Sequence, residues 1–106
     1  MATADYIQDS DFDQLLTFAG PVVVDCTATW CGPCRKVAPL IDQLAEDYQG
    51  QAKVVKLDLD ANKITPKKYE IRSIPAVMIF KGGELVETLV GVAPYETFRD
   101  AVERAL

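Results

Sequence analysis

The chain has no histidine among its 106 residues. No imidazole can therefore act as a general base, bind a metal or complete a Cys–His nucleophile pair. No apolar run approaches the roughly 18 to 20 residues needed to cross a bilayer. The opening Met1-Ala2-Thr3-Ala4-Asp5 has neither the basic start nor the apolar stretch of a secretory signal. Membrane insertion and export are thus not expected, and the expected compartment is the cytoplasm. Positive charge is in deficit, with 11 Lys and Arg against 16 Asp and Glu and a formal net charge of −5. Such a surface is a poor electrostatic match for nucleic acid or anionic lipid. Repeats, low-complexity tracts and Pro/Ser-rich linkers are missing, so a single domain over residues 1–106 is expected. With 49% apolar and 25% charged residues, the composition is that of a folded globular chain. Any chemistry must run on thiols, carboxylates, lysines or backbone amides.

The apolar pattern predicts an α/β fold. Ser10 can cap a short helix whose Phe12, Leu15, Leu16 and Ala19 share a face, ended by Gly20-Pro21. Val22-Val23-Val24 begins a strand without alternation, which implies burial on both faces and a central place in a sheet. Val37, Leu40, Ile41, Leu44, Ala45 and Tyr48 form a helical stripe from Cys34 to Tyr48, with Pro39 inside it. Ala52 to Leu59 reads as a second buried strand, and Asn62 to Tyr69 as a short polar helix. Ala76–Lys81 and Leu85–Val90 flank Gly82-Gly83 as a hairpin. A last helix from Pro94 is expected to bury Phe98, Ala101, Val102, Ala105 and Leu106. The order predicts a mixed sheet with a parallel core and an antiparallel C-terminal hairpin, flanked by helices.

The sharpest chemical signal is Trp30-Cys31-Gly32-Pro33-Cys34, where a buried strand feeds a helix. Cysteines three apart at a helix start lie one turn apart on one side, within disulfide reach. As a staple the pair is feeble, since closing so short a loop stabilises by only about 2 kcal/mol. It is better suited to opening and closing. The helix start supplies free N–H groups and the positive end of the dipole, both of which favour a thiolate at Cys31. Structural zinc would need four ligands, and only Cys26 is left beside the pair. Haem attachment would need His where Arg35 stands. Neither a metal nor a bound cofactor is expected.

The chain resembles the thioredoxin family over nearly its whole length. The likeness rests on Asp25 in its strand, the five-residue motif, Pro39, Lys56 within Val54-Val55-Lys56-Leu57, Ile74-Pro75, Gly82-Gly83 and Gly91, all in the family's order and spacing. The resemblance implies the thioredoxin fold and reduction of disulfides in target proteins, with electrons returned by an NADPH- or ferredoxin-dependent thioredoxin reductase. It implies Cys31 as the attacking thiolate and Cys34 as the buried resolving thiol. Trp30, Gly32 and Pro33 carry over as the surrounding surface, and Ile74 with a cis Pro75 as the loop receiving the target's backbone. A monomer is expected.

The supporting residues also have plainer readings. Asp25 in a central strand should have its pKa raised by desolvation, so that it could take a proton from Cys34, unless it sits at the strand end facing water. Lys56 would lie on the neighbouring strand and partly offset that shift, or be a solvated surface lysine. Gly91 is either a simple strand-end glycine or the residue that keeps a substrate groove open. Trp30 is either ordinary exposed surface or part of a docking rim. The chain departs from the family at Cys26 and Thr27, where two large residues, commonly aromatic, are usual. Cys26 is expected as a small buried filler, with a redox-sensing thiol as the alternative. These smaller residues should leave space, or a repacked wall, beneath the active site. The rival to a reductase is a binding module using Trp30, Ile74 and Gly91, which would not require both Cys31 and Cys34.

Overall fold

The computed structural model describes residues 3–106. Five strands form one sheet in the order β1-β3-β2-β4-β5, with β1 at Asp5–Ile7, β2 at Val22–Thr27, β3 at Lys53–Asp58, β4 at Ala76–Lys81 and β5 at Glu84–Val90. β2 runs parallel to β3, and β3 parallel to β1; β4 is antiparallel to both β2 and β5. The valine run that begins β2 is buried on both faces, as its lack of alternation predicts. Gly82 and Gly83, both at positive φ, make the hairpin turn.

Four helices cover the two faces: α1 at Phe12–Leu15, α2 at Gly32–Asp47, α3 at Ile64–Lys68 and α4 at Tyr95–Ala105. Alternation along β2 divides the core. Val23 joins Val37, Ile41 and Leu44 of α2 and Phe98 and Val102 of α4 on one face. Val22, Val24 and Cys26 join Phe12, Leu57, Met78 and Phe80 on the other. There Phe12, Tyr69 and Phe80 meet with ring centroids 5.1–5.7 Å apart. Two phenols join the end of α2 to α4: Tyr48 Oη donates to Glu103, and Tyr95 Oη donates to Asp47, each at 2.5 Å.

Several boundaries differ from the sequence reading. β1 has three residues, none fully buried, too short for a period-2 pattern to register. The first helix opens as a 3-10 turn at Asp9–Asp11, capped by Gln8 and Asp11 in a reciprocal box rather than by Ser10. α1 stops at Leu15, and Ala19 is exposed beyond it. α2 begins two residues before Cys34, because Gly32 and Pro33 occupy its first turn. α3 is shorter than the Asn62–Tyr69 stretch, and Asn62 is buried as a loop residue whose Oδ1 accepts from Asp9 N at 2.8 Å. Leu106 lies past the end of α4 and is half exposed. Among the described residues, no helix is long and apolar enough to cross a membrane.

Phe98 is fully buried where α4 meets the sheet. Phe98→Ala should therefore cost about 3–5 kcal/mol, read as a lower denaturant midpoint with an unchanged slope.

Candidate functional site

β2 delivers the chain to Ala28, and a turn closed by Cys31 N–H to the Ala28 carbonyl leads into α2. Cys31 is the N-cap of that helix, in an extended conformation, and its sulfur accepts from Cys34 N at 3.2 Å. Pro33 fits the first turn because no donor is needed there. Cys31 and Cys34 are joined in a disulfide with Cα atoms 5.3 Å apart, as their spacing allows. Both are buried against Ala28, with Ile74 packed beside them.

Trp30, Ile74, Pro75 and Gly91 gather around this pair by two routes. Trp30 is 67% exposed, and its indole N–H donates to Asp60 at 3.1 Å, which holds the ring beside the motif. The Ile74–Pro75 bond is cis. Gly91 N–H donates to the Pro75 carbonyl at 2.8 Å, tying the end of β5 to that loop. Gly91 has φ +94°, and a Cβ there would meet nothing within 4 Å. Its backbone conformation demands glycine, and the space above it is open.

Asp25 does not face water: it is 1% exposed, and neither carboxylate oxygen has a hydrogen-bond partner. It lies on the same face of β2 as Val23, the face that α2 covers. Burial pushes its pKa up to about 7; Lys56 opposes this and Asp42 adds to it. Lys56 pairs with Asp25 in the β2–β3 register and is 8% exposed. It is not a solvated lysine. Its ammonium lies 3.0 Å from Asp42 on α2 and 5.9 Å from the centre of the Tyr6 ring. Asp42 also accepts from Ala4 N at 3.0 Å.

Sequence reasoning passed over Asp42 and Asp60. Asp42 stands beside Ile41 in the α2 stripe and reads as a solvated flank. Asp60 follows Asp58 by two residues, an Asx-turn spacing realised as Asp60 N–H to Asp58 Oδ1 at 2.9 Å. Among the described residues, no group of three or more acidic or cysteine side chains is arranged to hold a metal ion.

Cys26 and Thr27 behave differently. Cys26 is 0% exposed in the cluster with Val24, Leu57 and Met78. Burial, and then the Asp25 carboxylate, raise its thiol to about 12. Its neighbours seal it from solvent. Thr27 points the other way and lines an open cleft of about 590 Å³. Open space therefore lies beside Thr27, while Cys26 is enclosed.

The thioredoxin family model matches residues 3–104. The chain is 47% identical over 107 residues to "Thioredoxin 1" of Nostoc sp., covering 100% of both chains. It is 45% identical to "Thioredoxin" of Synechocystis sp., again over 100% of both. Against "Thioredoxin" of Staphylococcus epidermidis it is 45% identical, covering 94% of this chain and 95% of the relative.

Two predictions follow from the buried groups. A carboxyl whose folded pKa is raised contributes stability while protonated. That contribution is lost as pH climbs from the unfolded value of 3.8 to the folded value of about 7. Asp25→Asn in the oxidised protein should thus be near neutral at pH 4 and stabilising by roughly 2–4 kcal/mol at pH 8. Denaturant melts at the two pH values check this, and lower stability at both would count against the buried acid. In the reduced protein, iodoacetamide should modify Cys31 quickly and Cys26 only on unfolding. Peptide mapping reads the outcome, and selective labelling of native Cys26 would contradict it.

Proposed function

The chain belongs to the thioredoxin family, and from that premise we propose how its residues divide the work. The protein is a thiol–disulfide oxidoreductase that reduces disulfides in target proteins, and a reductase renews its dithiol. In the proposed division, Cys31 is the nucleophile. Supporting this is one observation above the others: Cys31 caps α2, with the Cys34 N–H on its sulfur. Free amides and the positive end of the helix dipole stabilise a thiolate there.

The Cys31 thiolate attacks one sulfur of the target disulfide. A mixed disulfide forms, and the other target sulfur leaves with the electron pair. Cys34, deprotonated, then attacks the Cys31 sulfur; the Cys31–Cys34 bond forms and the second target thiolate departs. Asp25 is the proposed acceptor of the Cys34 proton. A carboxyl held near 7 can take and return a proton at neutral pH, where an ordinary aspartate would stay ionised. Lys56 is assigned the role of offsetting the Asp25 charge, while its ammonium is held on Asp42. The target's extended segment is assigned to the surface of Trp30, Ile74, Pro75 and Gly91, with Gly32 and Pro33 as the low wall beside the sulfurs.

The reductase is proposed to be NADPH- or ferredoxin-dependent, and the protein to act as a cytoplasmic monomer formed by one domain over residues 1–106. The chemistry asks for no bound cofactor, since both electrons reside in the sulfur pair.

Insulin reduction with dithiothreitol tests the roles. Cys31→Ser should abolish turnover. Cys34→Ser should make the first attack and stop at a mixed disulfide with its target, visible by non-reducing electrophoresis and mass spectrometry. Comparable turnover by Cys31→Ser would overturn the assignment.

A further inference from the structure

Two carboxylates compete for one ammonium on the α2 face of the sheet. Val24 and Cys26 turn to the opposite face, and so do Val55 and Leu57. Alternation therefore sets Asp25 and Lys56 side by side under α2, as partners in the β2–β3 register. An ion pair between them is what register alone predicts. It does not form. Both Asp25 oxygens lack a partner among the described residues, and the Lys56 ammonium lies 3.0 Å from Asp42 Oδ1 instead. Lys56 from β3 and Asp42 from α2 are the charged groups that act on Asp25. β4 places Val77 opposite it, and Cys34 of α2 carries no charge while in the disulfide.

Two features divert the lysine. Asp42 follows Ile41, about 100° further round α2, at the rim of the buried stripe. Its side chain is 28% exposed while Asp25 is buried, so pairing at Asp42 strips less water from the two charges. The same Oδ1 accepts Ala4 N–H at 3.0 Å, so the segment leading into β1 fixes the carboxylate in place. Tyr6, the β1 partner of Lys56, adds its ring 5.9 Å from the ammonium.

We propose that Asp42 is a positioning residue for the exchange reaction: it holds the Lys56 ammonium off Asp25 and leaves that carboxyl free to carry the Cys34 proton. The inference rests on the reading of Asp25 as proton acceptor. In the resolving step the Cys34 thiol gives its proton to the Asp25 carboxylate. The electron pair left on the sulfur forms the Cys31–Cys34 bond, and the target sulfur leaves with the pair of the bond that breaks. A carboxylate paired with Lys56 is a weaker base and takes that proton less readily. Asp42 also acts on Asp25 by its own charge, in the same direction. The two contributions are separable, because only the first requires Lys56.

Carboxyl carbon NMR of isotope-labelled aspartate in the oxidised protein follows Asp25 through its titration. Asp42→Asn keeps an oxygen for Ala4 N–H and loses the charge. It should lower the proton affinity of Asp25 at least tenfold, about one pH unit, as a newly paired carboxylate requires. Asp42→Glu retains the charge and should stay near the parent. In a Lys56→Met background, Asp42→Asn should shift the titration by less than half as much. Insulin reduction with dithiothreitol at pH 7 should fall severalfold in Asp42→Asn and be kept in Asp42→Glu. A proton affinity within twofold of the parent in Asp42→Asn would overturn the proposal. So would equal shifts with and without Lys56, which would leave Asp42 acting by its charge alone. Insulin reduction by Asp25→Asn at the parent rate would instead undo the proton-acceptor reading, whatever the titrations show.

Discussion

Burying a carboxyl group in the middle of a sheet without a hydrogen-bond partner is expensive, and Asp25 is held in that condition by everything around it. Three valines precede it on a strand flanked by two others, and α2 closes the face on which it lies. The nearest cation cannot neutralise it fully, because the Lys56 ammonium is committed to Asp42. A tighter Asp25–Lys56 pair would lower the pKa again and leave a permanent carboxylate. The balance of burial, a diverted lysine and a second carboxylate keeps the group near the pH at which thiols exchange. In the proposed mechanism, stability is given up for proton traffic.

The start of α2 answers a second requirement. A nucleophilic sulfur has to be ionised without being buried deeply among charges, and a helix N-terminus does this with backbone alone. Placing Cys31 at the cap and Cys34 one turn in gives the two sulfurs different surroundings from a single local geometry. The same junction explains why the proposed substrate surface comes from distant parts of the chain. β5 is tied to the loop beside the disulfide by the Gly91 N–H on the Pro75 carbonyl, and Ile74 of that loop packs against the two cysteines.

Sequence was most informative where one local rule dominates. The unbroken valines put β2 at the sheet centre, the glycine pair marked the hairpin, and two cysteines at a helix start announced their own chemistry. It was least informative where tertiary contacts decide. β1 is fixed by pairing with β3 and by the Ala4 N–H on Asp42, neither visible in a three-residue pattern. Ser10 is a good cap by propensity, yet Gln8 and Asp11 close the turn because the chain enters one residue pair earlier. Lys56 had two readings on paper. Only the position of Asp42 across the helix–sheet boundary separates them. Cys26 and Thr27 looked like one departure, but alternation sends them to opposite faces, where one wall closes and the other stays open.

The phenol contacts between α2 and α4 give the long helix a chemical asymmetry. Burial, reinforced by hydrogen bonding to Glu103, holds the Tyr48 hydroxyl up to about 12, and burial with Asp47 raises Tyr95 further still. α2 thus covers the face that holds Asp25, a carboxyl pushed up to about 7, while its C-terminal end is fastened by phenols pushed well above their ordinary values. In the proposed mechanism, a proton moving onto and off Asp25 leaves that fastening untouched, and the scaffold need not be rebuilt between turnovers.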